Sequence, residues 1–153
     1  MSERPPELLK LAAEDADDLV LVAAQLQDAI TMVGDLTYLP GGRRFVAVFN
    51  RFMWDGKGRD AEKPFWRCHA GLEVRSVLGA KIGGIPRDEP KGALELLTLS
   101  FAKASEDPED PSGAITLVFA GGGAVRLDVE CVEVYMRDYG EPWRTARRPS
   151  HPD

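Results

Sequence analysis

The sequence has little of what would commit it to an obvious class. Two cysteines in 153 residues cannot make a disulfide framework, and a reducing, cytoplasmic setting is the simplest expectation. Two histidines, His69 and His151, stand far apart, and neither they nor Cys68 and Cys131 show the paired spacing of a structural zinc site, so no metal is expected. No apolar run approaches the roughly 18 residues that a membrane helix needs, and the first ten residues hold no apolar stretch of a secretory signal. There is no Gly-x-Ser-x-Gly elbow and no glycine-rich loop between a strand and a helix, so no cofactor and no catalytic residue is assigned. A net charge of −6 argues against a general nucleic-acid binder, which needs a basic surface to displace phosphate counterions.

What is present is an ordinary globular composition, 44% hydrophobic and 29% charged, with enough chain for one domain spanning 1–153. Within it, residues 1–6 are expected to be a flexible start and 141–153 a tail laid on the surface with Trp143 as anchor. The charge is polarised: residues 1–41 net −6, residues 42–75 net +4, and residues 76–153 net −4. A basic block inside an acidic chain either pairs with its own acids or holds an anionic partner.

Period and punctuation give the elements. Glu7 to Ala13 reads as a short strand. Asp15 can cap a helix over Ala16–Ala29, with Asp17 and Asp18 in its first turn and Leu19, Val22, Ala23 and Leu26 on one side. Strands follow over Thr31–Leu39 and Arg44–Trp54, joined by Pro40-Gly41-Gly42-Arg43; Phe45 to Phe49 is apolar on both pleat faces, as in a covered central strand. Residues 55–64 read as a loop. From Trp66 to Leu78 the chain alternates, with Cys68, Ala70, Leu72 and Val74 on one face and Arg67, His69, Glu73 and Arg75 on the other. Ala93–Lys103 is a further strand, and Ala114–Ala120 with Ala124–Val129 form a hairpin about Gly121-Gly122-Gly123. Glu130–Tyr139 reads as a final helix stopped by Gly140. The expected class is α+β: a bent, mostly antiparallel sheet of about six or seven strands with an N-terminal and a C-terminal helix. A pleckstrin-homology-like barrel fits that order, and a two-layer α/β sandwich is the alternative.

Several stretches stand together: Ala24-Gln25-Leu26-Gln27-Asp28-Ala29, Gly34-Asp35 with Tyr38-Leu39-Pro40, and Arg43-Arg44-Phe45 with Asn50-Arg51-Phe52 and Trp54. Phe119-Ala120-Gly121-Gly122, Arg126 to Cys131, Trp143, Arg148-Pro149 and His151-Pro152 complete the set. The chain thus resembles a small bacterial family catalogued as domain of unknown function 2948, from about Glu7 to Pro152. The resemblance implies a self-standing unit and carries no activity, cofactor or site residue.

The residues that could do chemistry narrow to a basic and aromatic group. Arg67, His69 and Arg75 share a strand face, and Arg51 or Asn50 joins that row if the neighbouring strand pairs with it. Guanidinium forks on a flat sheet suit carboxylates or phosphates, so the expected function is a non-enzymatic binding or interaction domain using Arg51, Arg67, His69 and Arg75. A protein partner, an anionic small ligand and a second copy of the chain are all open as its occupant, and no membrane is expected. The alternative is a small enzyme with an atypical site at Asp35, His69 or Cys131, with Cys131 opening the last helix.

Overall fold

The computed structural model describes residues 4–54 and 64–149. Along the chain come β1 (Lys10–Ala13), α1 (Ala16–Leu26), β2 (Ile30–Met32), β3 (Leu36–Leu39), β4 (Arg44–Phe52), β5 (Phe65–Val74), β6 (Val77–Gly83), β7 (Ala93–Lys103), β8 (Gly113–Phe119), β9 (Ala124–Val129) and β10 (Val134–Thr145). All pairings are antiparallel, so the class is α+β with antiparallel sheet, built from ten strands rather than six or seven and from one α-helix among the described residues rather than two. The loop expected over 55–64 lies, from 55 to 63, outside the described residues.

Helix α1 begins where its acids require. Asp15 is extended at φ −149° and its side chain accepts the Asp18 N–H at 2.7 Å, satisfying one of the donors a helix start leaves unpaired. Leu19, Val22 and Leu26 are buried, and the helix lies against β1, β4 and β7; each such leucine or valine contributes about 1.5–3 kcal/mol on leaving water. The helix ends three residues before the expected Ala29. Asp28 takes a left-handed φ of 64°, and the backbone then pairs with β7 through Asp28 N–H to Leu96 O (2.9 Å) and Leu96 N–H to Ala29 O (2.8 Å). The strand expected over Thr31–Leu39 is likewise broken: a tight turn at Val33–Asp35 donates Val33 N–H to Gly92 O and Gly34 N–H to Pro90 O, docking the chain on residues 90–92.

The sheet order is β1-β10-β5-β4-β2-β7-β8-β9-β6, with β3 also paired to β4. β5 and β6 stand at different places in that order yet are separated only by Arg75 and Ser76, with Ser76 at a φ of 58°. At this corner Val77 N–H reaches Arg43 O and Glu130 N–H reaches Ser76 O. The sheet therefore bends back on itself around one apolar core that runs from Phe45, Phe49 and Leu72 to Ile115, Leu117 and Leu127. The Gly121–Gly122 turn of the β8–β9 hairpin has φ of 91° and 96°, the glycine geometry expected there.

The helix expected over Glu130–Tyr139 is instead β10. Val134 and Met136 are buried with exposed Arg137 between Met136 and Asp138, and they pair with Val74 and Leu72 of β5 in unbroken register. The helical reading failed because Asp138, a carboxylate, occupies the next inward position and hides the period of two. Without that helix, the element that would close a pleckstrin-homology barrel is absent from the described residues. The tail expected to lie on the surface from 141 is, as far as Thr145, the end of this same strand, with Trp143 opposite Arg67 after a register shift.

Candidate functional site

The register of β4 against β5 decides which residues share a face. Asn50 stands opposite His69 and Arg51 opposite Cys68. Cys68 is fully buried, so Arg51 points inward and Asn50 outward. Arg51 thus leaves the row to which it was assigned with Arg67, His69 and Arg75.

Inside, Arg51 is one half of a buried ion pair. Its Nε donates to Asp138 Oδ1 at 2.8 Å and its NH2 to Oδ2 at 2.6 Å, while NH1 donates to Gln25 Oε1 at 3.2 Å and Phe52 O at 3.1 Å. Neither side chain has any exposed surface. The pair spans β5, whose small Cys68 and Ala70 stand opposite Arg51 and Asp138 respectively. Asp138 Oδ2 also accepts Leu9 N–H at 2.8 Å, and its own N–H donates to Leu9 O at 2.9 Å. The ion pair therefore ties β10, β4, α1 and the approach to β1 together, with both carboxylate oxygens engaged as burial of a charge demands.

Outside, the face of β4, β5 and β10 carries a row of cations and aromatics. Arg67 is held by Asn50, through Nε to the side-chain oxygen and NH2 to the backbone oxygen at 3.0 Å. Burial pushes the Arg67 pKa down, while Cys68, Asp28 and Glu95 favour its charged form; its bonds to Asn50 pin β5 to β4. His69 is exposed and stacks on Tyr139 at 5.5 Å between centroids and 20° between planes, with Trp143 on it at 4.9 Å.

Further along β5 the face opens. Gly71 leaves a groove of about 600 Å³ whose walls include Val46, Glu73, Tyr135, Arg137 and Lys10. At its far end Glu73 accepts Arg75 Nε at 2.7 Å and Arg44 NH1 at 3.0 Å, and the Arg75 guanidinium lies 4.4 Å over the Tyr135 ring. Burial works against the Glu73 charge, but the two guanidinium hydrogen bonds outweigh it and hold its pKa below the usual carboxylate value. Glu73 raises Arg75 in return. Lys10, Arg44, Arg67, Arg75 and Arg137 share this face; Glu73 stands among them, and Glu133, just before β10, also acts on Arg75.

Sequence reading located Arg67, His69 and Arg75 on this face and missed Tyr135, Arg137 and Tyr139, which alternate outward along β10 and were hidden by the helical assignment. The residues of the enzymatic alternative lie on separate elements: Asp35 in the turn before β3, His69 on β5, and Cys131 half-buried in the β9–β10 connection, where the expected helix is absent. No hydrogen bond or ion pair joins any two of them among the described residues, nor do three His, Cys, Asp or Glu side chains converge there as a metal group. No α-helix of the described chain is long and apolar enough to cross a membrane.

Fold and face together define a small antiparallel α+β protein with a basic, aromatic sheet face on an acidic chain. The chain belongs to the family described as protein of unknown function (DUF2948), whose model matches residues 9–151. Neither a curated protein nor a solved structure matches it.

Proposed function

We propose that this protein is a non-catalytic binding module whose outer β4–β5–β10 face takes an anionic partner. The observation that carries the reading is the gathering of Lys10, Arg44, Arg67, Arg75 and Arg137 on a single sheet face, with Glu73 and Glu133 as acids at the Arg75 end, in a chain whose net charge is −6. A field of that kind attracts anions and orients them before contact, and the exposed His69–Tyr139–Trp143 stack adds flat apolar surface beside it. Two cysteines, too few for a disulfide framework, fit a reducing compartment for such a module.

The test is capture from lysate of the source cells at low salt, with bound proteins and small molecules both identified by mass spectrometry. An Arg75→Glu/Arg137→Glu variant is compared with Arg126→Glu, whose side chain belongs to β9 on the other part of the sheet. A bound species lost from the first and kept by the second supports the face. A species kept equally by both overturns it, as does a bait that brings nothing with it.

A further inference from the structure

Two glycines in strand interiors make an instructive pair. A Cβ on Gly113 would run into the Ala102 carbonyl and the Phe101 ring, so that glycine is required by packing. A Cβ on Gly71 would meet only the Arg137 carbonyl oxygen, at 4.0 Å, and Gly71 has no left-handed φ. Glycine in a strand weakens it, and one cause for its presence is the close approach of something else. Among the described residues, none fills the space above Gly71, and the groove lies there.

The second observation is electrostatic. Lys10 stands directly opposite Arg137 in the β1–β10 register, and Arg137 directly opposite Gly71. Like charges facing each other across a ladder are destabilising. Both are exposed, and neither takes part in an ion pair among the described residues, whereas Arg43, Arg44, Arg51, Arg75 and Arg126 each have a carboxylate. The unopposed cations thus sit at the edge of the space that Gly71 keeps open.

We infer that the groove over Gly71 is a site for a small organic anion, an apolar body ending in a carboxylate, sulfonate or phosphate. This rests on the reading of the face as anion-binding and assigns its occupant. The oxyanion lies between Lys10 and Arg137, where an ammonium and a guanidinium supply charge-assisted hydrogen bonds. The apolar body runs over Gly71 between Val46 and the Tyr135 ring. A volume of about 600 Å³ is that of a small-molecule site. Glu73, already engaged by Arg44 and Arg75, closes the opposite end without repelling the head group.

The experiment is a fluorescence titration with anilinonaphthalene sulfonate, followed by displacement with decanoate and with the uncharged decanol. It uses the wild-type chain, Gly71→Leu, Lys10→Glu/Arg137→Glu and the control Arg126→Glu, each first shown to melt cooperatively. The expected result is saturable binding displaced by decanoate and not by decanol at equal concentration. Gly71→Leu abolishes it by filling the groove, the double reversal weakens it by at least about tenfold, and the control leaves it unchanged. Displacement by decanol as effective as by decanoate overturns the anionic head, and binding unaltered in Gly71→Leu overturns the groove. If that happens while the lysate partner is still lost on Arg75→Glu/Arg137→Glu, the face stands and its occupant is a larger acidic partner. If neither measurement responds, both readings fall.

Discussion

Arg51 and Arg137 belong to the two sides of one sheet and show two ways of treating the same charge. Arg51, inside, has both carboxylate oxygens of Asp138 within 2.8 Å and no exposed surface. Arg137, adjacent to Asp138 in sequence, faces outward toward Lys10 with no carboxylate in the described ion pairs. A charge matched in every direction is architecture; one set against its own kind is available to something outside. The location of basic residues in the sequence does not distinguish these cases, but their register does.

The inner half of the comparison breaks most easily. Asp138→Ala leaves Arg51 buried without its counter-charge and is expected to destabilise by about 3–5 kcal/mol, read from urea unfolding. Replacing the pair together, Arg51→Met with Asp138→Leu, recovers most of that loss, because burying the charges costs as much as their attraction returns. A double variant no more stable than Asp138→Ala would show that the pair specifies the sheet and does not simply fill it.

On the outer side the signs reverse. Gly71→Val is expected to raise stability by about 0.5–1 kcal/mol, since a β-branched residue replaces glycine in a strand with room for it, while removing probe binding. Lys10→Glu turns a repulsive cross-strand pair into an attractive one and should add about 0.2–1 kcal/mol; a thermal midpoint unchanged or lowered would mean that the two cations do not sense each other. Either gain, coupled to lost binding, marks a position kept for function at some expense of stability.

The smallest effect belongs to Glu73. Its pKa in the fold lies below the unfolded value, so its contribution is complete above about pH 4.3, the ordinary glutamate range. The contribution is lost as pH falls through the folded value. Glu73→Gln should therefore cost only about 0.5 kcal/mol at pH 7 and flatten the acid limb of stability measured from pH 3 to 7. A steeper acid limb in the variant would contradict the sign.

The parts legible in the sequence were those where one face is wet and the other dry. The alternation from Trp66 to Val74 gave β5 with Arg67, His69 and Glu73 outward, and Asp15 marked the helix start. β4 was ambiguous because Val46 and Val48 make its outer side apolar too, so nothing in its pattern told which way Arg51 faced. β10 was lost for a related reason: its inward row reads Val134, Met136, Asp138, and a carboxylate at a core position looks like a surface residue until its partner is known. The candidate face was thus half visible, with the strand that completes it disguised by the buried Arg51–Asp138 pair.

That ion pair also imposes a schedule. Leu9 donates its N–H to a carboxylate 129 residues further along the chain. At the pace of translation, about 5–20 residues per second, Leu9 leaves the ribosome's active centre about 6 to 26 seconds before Asp138 exists. Over that interval α1, β4 and β5 are made, while Asp138, the carboxylate that Arg51 pairs with in the core, is not. The nascent sheet stays open on this side until its last strand arrives, so the order of synthesis makes the C-terminal segment the step that seals the molecule.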